Sequence, residues 1–142
     1  MQLSDLQLAS CTRWVAPDGV VYLELPYILA FYKTIAAGAV ADDSELGTPP
    51  AYELAVKGIS STGITPGTLV QVQWPDGRYL SNPGCDFFSF VGTGRRAWCI
   101  SNPKRLRPNS KIRFNIDNSA VLVSADLEIY FEGALRIPLV KK

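Results

Sequence analysis

Arg95, Arg96, Lys104, Arg105, Arg107, Lys111 and Arg113 place half of the fourteen basic residues in one short span, and between Phe87 and Ala125 the sole acid is Asp117. A cluster of this type carries contact chemistry: it reads as solvated surface, as a seat for an acidic protein surface, or as a seat for nucleic acid. Arginine predominates, and its planar guanidinium suits protein interfaces. Opposite charge gathers at Asp42, Asp43 and Glu45, inside an Ala- and Gly-rich stretch that ends in Thr48-Pro49-Pro50. That stretch reads either as a solvated surface loop, with one helical turn at Asp42–Leu46, or as an acidic arm that orders against a neighbouring subunit. The candidate partner-contact residues are therefore Arg95, Arg96, Lys104, Arg105, Arg107, Asp42, Asp43 and Glu45.

Bond-making chemistry is thinly represented. The chain has no histidine, which removes Ser-His-Asp and Cys-His nucleophiles and His-dependent metal sites. Cys11, Cys85 and Cys99 are widely spaced, with no C-x-x-C pair. They read as buried or inert reduced thiols, a Cys85–Cys99 bridge staying open. Gly92-Thr93-Gly94-Arg95-Arg96-Ala97 has the letters of a dinucleotide fingerprint. That motif needs a helix to begin inside it, whereas Trp98-Cys99-Ile100 and Pro103 follow with strand and loop chemistry. The acids at 42–45 lack the spacing of a calcium loop, and Asp126 and Glu128 fall on one face of an alternating run. No catalytic residue, metal-ligand set or cofactor site is assigned, and the expectation is a protein without enzymatic activity. Trp14, Trp74 and Trp98 each lie at or near a turn. Such residues either plug the end of a core or stack on sugar rings.

The elements that must position these residues are strands. Ile112, Phe114 and Ile116 alternate with Lys111, Arg113, Asn115 and Asp117; after Asn118-Ser119, Leu127, Ile129 and Phe131 alternate with Asp126, Glu128, Tyr130 and Glu132. A period of two puts one set toward a core and the other toward water. Further extended runs are Val20–Leu25, Tyr27–Ile35 beyond Pro26, Tyr52–Lys57, Leu69–Leu80 as a hairpin about Pro75-Asp76-Gly77, Phe87–Val91 and Ala97–Ile100. Gly92-Thr93-Gly94 reads as a turn, and Pro103 to Ser110 as a basic connection. About eight strands with regular turn signals predict an all-β, two-sheet antiparallel sandwich, jelly-roll-like, with an up-and-down barrel as second choice. Residues 1–16 are expected to form an N-terminal arm or edge strand, and 17–142 a single sandwich domain with a long loop at 36–51. The 142 residues and net charge of +1 suit one globular domain and argue against a protein that grips nucleic acid through its overall field. The N-terminus lacks the basic and apolar regions of a signal peptide, and the apolar run Leu25–Tyr32 is too short to span a bilayer. A soluble protein made in a cytoplasm, without a membrane partner, is expected.

From Gly92 to Leu139 the order of signals resembles a group of small tailed-phage virion proteins. The shared pattern is a Gly-x-Gly turn, a strand ending before Asn102-Pro103, the basic run through Arg107-Pro108-Asn109-Ser110, and the strand Ile112–Asp117 with its Asn turn. Ile129-Tyr130-Phe131-Glu132-Gly133 and Leu135-Arg136-Ile137-Pro138 close it, while Tyr32–Gly38 and Asp76–Asn82 are similar to earlier parts of the same proteins. The resemblance covers about two thirds of the chain. It implies a β-sandwich cement or decoration protein on the capsid exterior, bridging several copies of the major capsid protein, often as a dimer or trimer, with no catalytic residues. A tail, baseplate or head-completion component is the alternative within virions. A carbohydrate-binding module using the tryptophans is the alternative outside them.

Overall fold

The computed structural model describes residues 12–61, 67–80, 85–86, 92–93 and 98–139. Among them the chain forms strands β1 (Thr12–Val15), β2 (Val21–Ile35), β3 (Val40–Gly47), β4 (Glu53–Ser61) and β5 (Leu69–Gln73). They continue as β6 (Cys85–Asp86), β7 (Gly92–Thr93), β8 (Trp98–Leu106), β9 (Lys111–Asp117) and β10 (Ala125–Pro138). No helix occurs among the described residues. One sheet runs β1-β2-β10-β4-β7, with β8 also paired to β4, and the other runs β3-β9-β5-β6. Setting aside the two-residue pieces β6 and β7, eight antiparallel strands form two stacked sheets of five and three, the sandwich that the alternation predicts.

Period-two patterning explains the stacking. In β9 Ile112, Phe114 and Ile116 are buried between exposed Lys111, Arg113 and Asn115, and in β10 Leu127, Ile129 and Phe131 are buried. These residues meet Leu29, Phe31, Leu54, Val56, Val70, Val72 and Leu106 in one core. Phe31 of the first sheet stacks on Phe114 of the second, centroids 4.0 Å apart and planes 15° from parallel, which ties the layers together. Trp74 is only 6% exposed and meets Phe131 edge-on at 5.9 Å, so it plugs the end of the core.

The long β2 and β10 pair in continuous register from Ala125↔Ile35 to Pro138↔Tyr22. Pro26 does not split β2; it sits beyond Glu24, where β1 has ended and β2 is flanked by β10 alone among the described strands. On its other side β10 pairs with β4, and the register slips between Glu132 and Gly133, leaving Lys57 as an extra residue. There the β4 backbone closes on Gly133 so tightly that a Cβ would drive into the Ala55 carbonyl.

Three sequence expectations need correction. Residues 36–51 are not a long loop: Val40–Gly47 is an edge strand on β9, with a register shift between Ala41 and Ser44. Asp, Ala and Gly disfavour strands locally, and tertiary pairing overrides that preference. The basic connection from Pro103 is shorter than expected, because β8 continues to Leu106. Its ladder with β4 jumps from Val56↔Lys104 to Gly58↔Cys99, so Asn102-Pro103 falls in an irregularity, where a missing N–H is tolerated. Gly92-Thr93 is a short parallel pairing with Ser60–Ser61 and not a turn. The strand expected at Phe87–Val91 lies outside the described residues.

Candidate functional site: a basic pole

The basic run occupies one end of the sandwich because β8 and β9 both reach it and are joined there by Arg107–Ser110. That turn is held from below. Buried Thr48, just past β3, donates its hydroxyl to the Arg107 carbonyl (2.9 Å) and accepts from the Ser110 N–H (2.8 Å). The Thr48 N–H reaches the Ser110 carbonyl and the Asn109 N–H the Pro49 carbonyl. Asn109 takes the left-handed conformation, φ 53°, that its side chain tolerates better than most.

Around this turn lie two adjoining hollows. One, of about 330 Å³, is lined by Pro75, Asp76, Lys104, Arg105, Arg107 and Ser110. The other, of about 460 Å³, includes Trp74, Pro75, Asn109, Ser110, Lys111 and Arg113. Five of the seven clustered cations thus share one pole. Most are held by acids of the same chain. Lys104 binds Asp76 and stands 5.9 Å from the Trp74 ring centre; Arg105 meets Glu53 at 2.9 Å. Lys111 and Arg113 share Glu45, at 2.9 and 3.6 Å. Arg107 is exposed and makes no ion pair among the described residues. Five cations against Asp76, Glu53 and Glu45 leave the pole net positive. Hydrogen bonding from Lys104, then from the Arg78 N–H, holds the Asp76 carboxyl below its ordinary value. The Lys111 ammonium, first by hydrogen bond and then by charge, does the same for Glu45.

Of the eight sequence candidates, the structure gathers Lys104, Arg105 and Arg107 around one hollow. Glu45 is exposed and is taken up by Lys111 and Arg113 of the chain's own β9. Asp42 and Asp43 are placed by backbone only, in the β3 irregularity, and Arg95 and Arg96 lie outside the described residues. The strand-face acids take hydroxyl partners: Asp126 accepts from Thr34, Glu132 from Ser60 and Glu128 from Tyr130. No group of three potential ligands converges as a metal site among the described residues. Gly92-Thr93 and Trp98 onward are strand, so the fingerprint letters carry no helix at either described flank. Cys85 belongs to the second sheet and Cys99 to the first.

One feature escaped the sequence. On the outer side of the first sheet, Glu24 (β2), Arg136 (β10), Glu53 (β4) and Arg105 (β8) stand in a row across four strands, with Lys57 against Glu24 at 2.9 Å. Arg136 is 4% exposed, covered by the Trp14 ring 3.7 Å above its guanidinium carbon. Its contacts with Glu24 (3.8 Å) and Glu53 (3.7 Å) are longer than hydrogen bonds, so the attraction is mainly charge on charge. Strand parity alone would have put these residues on one face; only the pairing order joins them. The ladder ends on Arg105 and so anchors the basic pole to the body of the sheet.

Comparison with protein-family models and with curated proteins finds no match.

Proposed function

We propose that this chain is a non-catalytic virion structural protein, a cement or decoration subunit that binds the capsid exterior and joins neighbouring major capsid subunits through its basic pole. One observation carries the reading: a rigid all-β body presents Lys104, Arg105 and Arg107 around a single hollow, on a turn stapled by Thr48. Arg107, without an ion pair among the described residues, suits a carboxylate of a protein surface, with which arginine forms paired hydrogen bonds. Lys104 and Arg105, held by Asp76 and Glu53, frame the hollow. The resemblance of the Gly92–Leu139 signals to tailed-phage virion proteins supplies the virion context. The work done is burial of interface area, on the order of 1,600 Å² for a standard contact, reinforced by many symmetric copies. Of the tryptophans that a sugar-binding reading needs, Trp74 is in the core and Trp14 has Arg136 against its face.

The test mixes purified protein with shells that lack it. Saturable binding, a raised shell-disruption temperature, and weaker, less salt-dependent binding by Arg107→Glu are expected. Failure to bind any shell overturns the reading. A copy number of a dozen or fewer per particle would move the protein to the tail or neck.

A further inference from the structure

The outer face of the second sheet carries a patch of amide side chains that its strands alone do not call for. Tyr79 bridges to Gln73 of β5, Gln73 lies opposite Arg113 of β9, and Arg113 lies opposite Glu45 of β3, which makes one row across the sheet. In the next row Gln71 lies opposite Asn115. Asn is depleted in strands, yet Asn115 stands within β9 and points to water. Strands lie about 4.8 Å apart and same-face neighbours about 7 Å apart along each, so Gln71, Gln73, Arg113 and Asn115 mark a rectangle of about 5 by 7 Å. That is the footprint of one six-membered sugar ring with its hydroxyls. A groove of about 380 Å³ is lined by these four with Tyr79 and Phe114, and clefts that hold small ligands begin near about 300 Å³.

Three amides and a guanidinium set the chemistry of this groove. A side-chain amide both donates and accepts, as does a hydroxyl, so a patch of amides matches a run of hydroxyls without burying charge. Gln73 is already oriented, because its Nε2 donates to the Gly77 carbonyl at 3.1 Å. Asn115 has no side-chain hydrogen bond among the described residues. Arg113 is the one charged group in the lining, and Glu45, which also holds Lys111, faces it at 3.6 Å. That distance is longer than a hydrogen bond, so the guanidinium is compensated in charge while its N–H groups stay able to donate. Tyr79 is 52% exposed and meets no other ring among the described residues. Its backbone is fixed by a tight hairpin, with the Trp74 N–H on the Arg78 carbonyl and the Leu80 N–H on the Val72 carbonyl, both at 2.8 Å. A phenol ring held at the end of a hydrogen-bonding row offers its flat side to the C–H face of a pyranose, at little cost in side-chain entropy.

We propose that this groove binds a neutral saccharide, one or two pyranose units at a time, with Tyr79 against the ring and Gln71, Gln73, Asn115 and Arg113 bonding its hydroxyls. The groove needs no tryptophan. It borders the larger hollow of the basic pole, sharing Gln73 and Arg113 with it, and uses none of Lys104, Arg105 and Arg107. It therefore stands or falls separately from the capsid reading.

An array of immobilised glycans, neutral ones built from glucose, galactose, mannose and N-acetylglucosamine beside sialylated ones, tests it with the full chain. Heteronuclear NMR then follows titration with the neutral oligosaccharide that binds best. Binding to a subset of the neutral glycans is expected, with the side-chain amide signals of Gln73 and Asn115 shifting as sugar is added. Tyr79→Ala and Asn115→Ala should each weaken binding about tenfold or more, and Tyr79→Phe should keep most of it. Arg107→Glu, aimed at the shell contact, should leave it unchanged. These positions are exposed, so an unaltered circular dichroism spectrum separates a lost contact from a lost fold. Silence across the neutral glycans overturns the proposal. So does binding confined to sialylated glycans, which would move the seat to the basic pole, or binding that survives Tyr79→Ala and Asn115→Ala together.

Discussion

Arg136 is a cation in a place where cations are costly. Its side chain is shut off from water by Trp14 and faced by Glu24 and Glu53, so its charge is compensated without short hydrogen bonds. Breaking a buried pair by removing one partner typically costs about 3–5 kcal/mol. Without Arg136, however, the Glu24 carboxylate keeps Lys57 and the Glu53 carboxylate keeps Arg105, each at 2.9 Å, so the loss here falls below that range. Arg136→Met is therefore expected to lower stability by about 2 kcal/mol in urea unfolding, and Glu24→Gln added to it should restore only part of the loss, because it also gives up the Lys57 pair. Gly133 is constrained by space. A Cβ there would lie 2.8 Å from the Ala55 carbonyl carbon and closer still to its oxygen. Gly133→Ala should cost more than about 4 kcal/mol or prevent folding. Gly47→Ala, with open space around it, should stay within about 0.5 kcal/mol, as the same unfolding measurement would show.

Connections in this fold are organised by buried polar side chains that act as staples. Thr48 fastens the β8–β9 turn under the basic pole, and Asn118 fastens the β9–β10 connection. Each bonds backbone groups of the connection it lies under, adding to the bonds that connection makes for itself. Asn118→Ala strands the Thr68 hydroxyl and the Val123 carbonyl, while the Ala36 carbonyl keeps the Ala39 N–H. At about 1–3 kcal/mol for an unsatisfied buried group, partly relieved by water entering an exposed connection, a net loss of about 2–4 kcal/mol is expected. Hydrogen exchange should show it as faster opening at Gly38 and Val121, while the centre of the β2–β10 ladder keeps its protection. The edges are handled by the same economy of means. β3 carries acids, and β8 carries Pro103 and basic residues, so both resist pairing with stray strands.

For the molecule as a whole, charge is arranged by region and not by net total. Asp76, Glu45 and Asp117 have carboxyl pKa values held below the ordinary 3.8, 4.5 and 3.8, by Lys104, by Lys111 and by hydrogen bonds from Ser119 respectively. A depressed folded-state pKa means that the unfolded chain takes up the proton first as pH falls. The contribution is thus complete at neutral pH, erodes once pH drops past the ordinary values, and is gone below the depressed ones. With no histidine to titrate, the thermal midpoint should be flat between about pH 6 and 7.5 and decline only in acid. Because these carboxylates are exposed, the decline should be shallow and should diminish further in high salt. A steep transition near neutrality in a thermal-melt series would contradict this arrangement.

Much of the architecture was legible in the chain. The period of two in 111–117 and 125–131 determined which residues of β9 and β10 face the core, and Pro75-Asp76-Gly77 placed the β5 hairpin, because both signals are local and steric. The excess of cations between Arg95 and Arg113 was likewise plain by inspection. Other features depended on residues remote in sequence. Val40–Gly47 is a strand because β9 offers it a ladder and two cations for Glu45; its own composition favours a loop. Glu24, Glu53, Arg105 and Arg136 form a row only because β2, β10, β4 and β8 are neighbours in that order, and Tyr79, Gln73, Arg113 and Glu45 form another only because the β5 hairpin, β9 and β3 are neighbours in theirs. Side-chain periodicity is a property of the local backbone and can be read one residue at a time, whereas strand order and register arise from the collective burial of a core and exist only in the folded chain.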